Sequence, residues 1–64
     1  MNTQVGKLIN AYGVELGKVT RIELGNYSVY EVEFPFCPIV FDSFEETCKH
    51  AGLYGFKIIL KQFD

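Results

Sequence analysis

The sequence predicts a small α+β domain: a three-stranded, mainly antiparallel sheet in the order ββαβ, packed by one short helix. Three observations predict it. Residues 54–61 alternate apolar and polar with a period of two, and residues 30–34 do the same. A Gly25-Asn26 turn dipeptide follows a stretch rich in β-branched residues. Between the strands, Ser43 and Glu46 stand three positions apart at the head of a run with helical spacing. At 64 residues the chain has room for one domain, residues 1–64, close to the size below which folds need a disulfide or a metal.

In Tyr54-Gly55-Phe56-Lys57-Ile58-Ile59-Leu60-Lys61, residues 54, 56, 58 and 60 share the apolar side of a half-buried strand. In Tyr30-Glu31-Val32-Glu33-Phe34 the glutamates mark the wet side. Lys18–Leu24 and the Gly25-Asn26 turn complete a hairpin with it. A two-residue loop pairs Leu24 with Tyr27, Ile22 with Val29 and Val19 with Val32, which divides the aliphatic residues between two faces. A longer loop or a bulge pairs Ile22 with Tyr30 and Thr20 with Val32, and gathers Ile22, Leu24, Tyr30, Val32 and Phe34 together. Because one slip flips a whole strand, burial favours the second register.

Ser43 with Glu46 forms a capping box, and Asp42 with Glu45 is an equal alternative. Phe44, Cys48 and Ala51 then face inward, Glu45 and Lys49 pair outside, Lys49 and His50 suit the helix C-terminus, and Gly52 ends it. The N-terminal segment reads two ways. Val5, Leu8, Ile9 and Tyr12 form a helical stripe between Thr3 and Gly13, yet Leu8, Asn10, Tyr12, Val14 and Leu16 also alternate as a strand. The expectation is a short helix or an arm lying on the sheet. Chain direction places the last strand beside the first, giving sheet order 2-1-3. Glu31, Glu33 and Pro35 then guard one outer strand, and Lys57 and Lys61 the other.

The chemistry-bearing residues are few. A formal charge of −2 with six bases argues against a nucleic-acid binder, and eight acids are too few to mimic a phosphate backbone. Cys37, between Pro35 and Pro38, reads as a small hydrophobe in a segment where Phe36, Ile39, Val40 and Phe41 close the open end of the core. Nothing beside it in sequence lowers a thiol pKa: the acidic Asp42, Glu45 and Glu46 stand at the helix start. Cys37 and Cys48 are expected as free thiols in a cytosolic chain, since no apolar run approaches a membrane span and no leader pattern opens the sequence. His50 is expected on the surface, Glu31 and Glu33 on a wetted edge, and the glycines singly at turns. No catalytic group, metal site or cofactor is implied.

The remaining signal is surplus apolar surface. With the helix over Ile22, Tyr30, Val32, Phe34, Phe56, Ile58 and Leu60, the opposite face carries Val19, Val29 and Ile59 among Arg21, Glu23, Lys57 and Lys61, with Tyr27 nearby. Aliphatics and a tyrosine rimmed by both charge signs have the composition of a protein-binding surface. The expected function is therefore a small non-enzymatic protein-binding module: an inhibitor, antitoxin-like protein or adaptor, of the kind phage and plasmid products use to occupy a host protein. Its expected contacts are Arg21, Tyr27, Val29, Lys57, Ile59 and Lys61, with the 56–61 edge open to strand addition. A different class of function is single-stranded nucleic-acid binding through Tyr27, Tyr30, Arg21, Lys57 and Lys61. A homodimer through the apolar face or the open edge is the third option.

Overall fold

A computed structural model describes residues 2–61. Strands β1 (Asn2–Ile9), β2 (Glu15–Leu24), β3 (Tyr27–Glu33) and β4 (Pro38–Phe41) precede helix α1 (Phe44–Leu53) and strand β5 (Lys57–Leu60). They form a five-stranded sheet in the order β4-β3-β2-β1-β5. Every neighbouring pair is antiparallel. The α+β class holds, but the three-stranded ββαβ sheet in the order 2-1-3 is overturned. Two segments not assigned as strands are strands: the N-terminal residues and Pro38–Phe41.

Residues 2–9 insert between β2 and β5, so β1 is neither a helix nor an arm on the sheet. Asn10 turns the chain: its side-chain Oδ1 accepts from the backbone of Tyr12 and Val14, and Gly13 takes a φ of 80°. The β1–β2 register shifts between Gln4 and Gly6 and again between Leu8 and Ile9. Val5 and Leu16 are the extra residues, and both pack against the core. The adjoining glycines are required there. A Cβ on Gly6 would come 2.5 Å from the Ile59 carbonyl oxygen, and one on Gly17 would collide with that of Glu33. These two glycines serve bulges inside strands rather than turns.

The β2–β3 hairpin adopts the two-residue register: Leu24 opposite Tyr27, Ile22 opposite Val29, Val19 opposite Val32. Gly25 has a φ of 73°, and among the described residues none other than glycine has a positive φ. That is the pattern of a II′ turn, whose twist matches the flanking strands. Turn geometry therefore set the register. Gathering all the aliphatics was unnecessary, because Leu8 on β1 and Ile39 and Phe41 on β4 complete the helix-side core with Val19 and Val32.

On that side Leu8, Val19, Val32, Phe34 and Ala51 are buried together. The Ser43 half of the capping box forms: Ser43 Oγ accepts from the Glu46 N–H at 3.2 Å and makes Ser43 the N-cap. The inward stripe is Thr47 and Ala51, while Cys48 is exposed. Thr47 satisfies its hydroxyl by donating to the Ser43 carbonyl at 2.9 Å. The helix runs one residue past Gly52 and stops at Gly55, φ 75°. There Phe56 N–H donates to Ala51 and Gly55 N–H to Gly52, the two bonds of a Schellman motif. Phe56 also packs on the core that includes Ala51.

Candidate functional site

Helix α1 covers one face of the sheet, and the opposite face is not covered by any described element. Residues directly opposite in neighbouring strands share a face, so the pairings sort every side chain. Val19, Arg21 and Glu23 fall on the helix side, because Val19 faces Val32 and Arg21 faces Tyr30, whose ring meets Phe44 of α1. Val19 is wholly buried and belongs to the core. Arg21 is engaged there, with Nε donating to Ser28 Oγ at 3.3 Å and a guanidinium nitrogen 3.7 Å from Glu23.

The other expected contacts lie on the rear, in two separate places. At the β2–β3 turn, Tyr27 stands opposite Leu24 and Val29 opposite Ile22. Tyr27 is open, but Val29 is only 9% exposed. At the other end, Lys57 and Ile59 lie on β5, opposite Ile9 and Lys7 of β1. Lys61 follows, and its N–H donates to the Val5 carbonyl at 2.7 Å. Val29 and Ile59 are three strand steps apart, roughly 14 Å across the sheet, and are further offset by about 13 Å along the strands. The six residues do not form one patch, because β1 separates the strands expected to be neighbours.

The β5 end is the better-built surface. A groove of about 440 Å³ runs along the β1–β5 seam, lined by Gln4, Lys7, Glu15, Ile59, Leu60 and Lys61. Ile59 is 42% and Leu60 57% exposed. Lys7 and Lys18 stand directly opposite each other on β1 and β2. Such like-charge pairs destabilise a sheet. The nearby carboxylate of Glu15 lies 3.9 Å from Lys7, with both side chains about half exposed. With Lys57, a row of lysines crosses the rear beside the outer strand. Sequence reasoning included Lys57 but missed Lys7, Lys18 and Leu60, whose pairing depends on β1 being a strand.

A second apolar surface lies at the far end of the helix. Phe34, 5% exposed, is the hub of an aromatic cluster with Phe36, Phe41, His50, Tyr54 and Phe56. Its outer members Phe36 and Tyr54 are about half exposed, and Leu53 projects more. A shallow cleft of about 310 Å³ opens beside Phe41, His50 and Leu53. His50 is half-buried rather than on the surface, and among the described residues its shielded Nε2 has no hydrogen-bond partner. Cys37 is exposed and so is not the packing residue its neighbours suggested; Cys48 is exposed too, and both thiols are free. Desolvation pushes the Cys48 thiol up, which lowers its thiolate fraction near neutral pH.

Among the described residues no cluster of three histidine, cysteine or carboxylate side chains could hold a metal ion. No described helix is long and apolar enough to cross a membrane. The chain matches no protein-family model, and no curated protein or solved structure resembles it significantly.

Proposed function

We propose that the chain is a small non-enzymatic protein-binding module of the cytosol that acts by occupying another protein, as an inhibitor, antitoxin-like protein or adaptor does. The observation that carries this reading is the outer position of β5 on a sheet with one bare face, where Ile59 and Leu60 remain exposed beside a groove. An outer strand offers a row of backbone donors and acceptors to another chain, and exposed aliphatics add affinity without any catalytic group. Of the contacts expected from sequence, Lys57, Ile59 and Lys61 belong to this surface. Tyr27 belongs to a separate one, and Arg21 and Val29 are too engaged or too buried to anchor a partner.

Single-stranded nucleic acid is the second reading, favoured by Lys7, Lys18 and Lys57 on one face. The two tyrosines expected to stack lie elsewhere. Tyr27 lies at the opposite end of the sheet, and Tyr30 packs edge-on against Phe44 on the helix side, ring centroids 5.6 Å apart.

Affinity capture from the cells that make the protein tests the reading, with the wild type compared against Ile59→Asp. The variant keeps its circular dichroism spectrum, since Ile59 is not a core residue. A protein retained stoichiometrically by the wild type and lost by the variant is the expected result. Equal capture by both would place the binding surface elsewhere.

A further inference from the structure

We propose that the partner docks as a sixth strand on the outer edge of β5, and that the docking segment is extended and acidic, with carboxylates alternating with apolar residues. This rests on the protein-binding reading above and names the chemistry of the partner.

The edge is set by the hydrogen-bonding phase. Lys61 N–H donates to Val5, and Lys61 is followed two residues back by the Ile59–Lys7 pair and again by Lys57–Ile9. In an antiparallel ladder the bonded residues alternate, so Ile59 and Lys61 direct their N–H groups to β1 while Ile58 and Leu60 direct theirs outward. Among the described residues nothing pairs with that outward row. An added strand would bond to the backbone of Ile58 and Leu60. Its side chains would fall alternately beside Ile58 and Leu60 on the helix side, and beside Lys57 and Ile59 on the rear.

Charge complementarity selects the occupant. On the rear, Lys57 lies beside Ile9, and Lys7 and Lys18 continue the positive row; Glu15 is the acid close to it, held at 3.9 Å from Lys7. A second copy of this chain docked antiparallel through β5 would bring its own lysines against this row, and like charges directly opposite are destabilising. A strand with carboxylates on the rear and aliphatics toward Ile58 and Leu60 meets both requirements. The β2–β3 pair shows the same alternation of a buried aliphatic with a carboxylate, although its carboxylate meets a backbone amide. Val32-Glu33 of β3 lies against Lys18-Val19 of β2, with Val32 opposite Val19 in the core and the Glu33 carboxylate accepting from the Lys18 N–H at 2.9 Å.

The test uses a capped peptide of about ten residues that alternates glutamate with valine and threonine, and a twin carrying lysine in place of glutamate. Amide hydrogen exchange is read by NMR on the whole chain. With the acidic peptide at roughly ten times its Kd, exchange at Ile58 and Leu60 should slow about tenfold, because protection follows one plus the ratio of ligand to Kd. The basic twin should give no protection, added salt should weaken the acidic peptide, and Lys7→Glu with Lys57→Glu should reverse the preference. Equal binding of the twins, or protection elsewhere in the chain, overturns the inference. So does protection of Ile58 and Leu60 that rises with protein concentration alone, which would make a second copy the occupant. An oligothymidylate that binds this face with a steep loss in salt would also overturn it in favour of nucleic acid. If the peptides fail while Ile59→Asp still abolishes capture of a cellular protein, the acidic strand is wrong and the protein-binding reading stands.

Discussion

His50 sits with its ring 5.5 Å from Phe34, 5.2 Å from Phe41 and 5.4 Å from Tyr54, centroid to centroid. Among the described residues its shielded Nε2 has no partner, a desolvation cost without a compensating bond. Replacing His50 with Leu keeps a similar volume among the rings and removes the unpaired nitrogen. The variant should be about 1 kcal/mol more stable than the wild type in urea unfolding at neutral pH, and a loss of stability would show that the imidazole has a polar role. The position was hidden in the sequence for a definite reason. Thr47, His50, Ala51 and Tyr54 recur at i, i+3, i+4 and i+7, a complete helical stripe, but two of the four are polar by type. Phe44, Cys48 and Ala51 made a more apolar stripe on paper. It placed Ala51 inside correctly and Cys48 inside wrongly.

At the scale of elements, the N-cap at Ser43 and the existence of the hairpin over residues 18–33, though not its register, were legible because each rests on local chemistry. β1 was obscured by its own bulge. With Val5 inserted, the core-facing Val5 and Leu8 are three residues apart, a spacing that fits a helix and breaks the alternation of a strand. Pro38 disguised β4 in a similar way. Proline is tolerated as the first residue of an outer strand, which is its position there. The second bulge supplies a prediction. Gly17 lets β2 approach the Glu33 backbone, so Gly17→Ala must push the strands apart and should destabilise the fold by roughly 1–3 kcal/mol. A urea midpoint unchanged from the wild type would mean that this close approach is not required.

For the molecule as a whole, the decisive fact is an imbalance between layers. One ten-residue helix faces a sheet of five strands, and its contacts reach β3, β4 and β5 on one side. The surplus apolar surface expected at Val19, Val29 and Ile59 is reduced to Ile59, because Val19 and Val29 are buried; Lys57, Ile59 and Lys61 were singled out in the sequence. Their grouping was not visible, because it depends on β1 lying between β2 and β5. Once β1 is in place, Lys7 and Lys18 join Lys57, while Tyr27 and Val29 move to the far end of the same face. A docking surface at β5 requires that strand to be an open edge. Hydrogen exchange of the free, dilute protein tests this most directly, residue by residue. Ile59 and Lys61 amides should exchange slowly and those of Ile58 and Leu60 fast, an alternation set by the ladder. Uniformly slow exchange across all four amides would mean that the edge is already occupied, and would contradict a docking surface there.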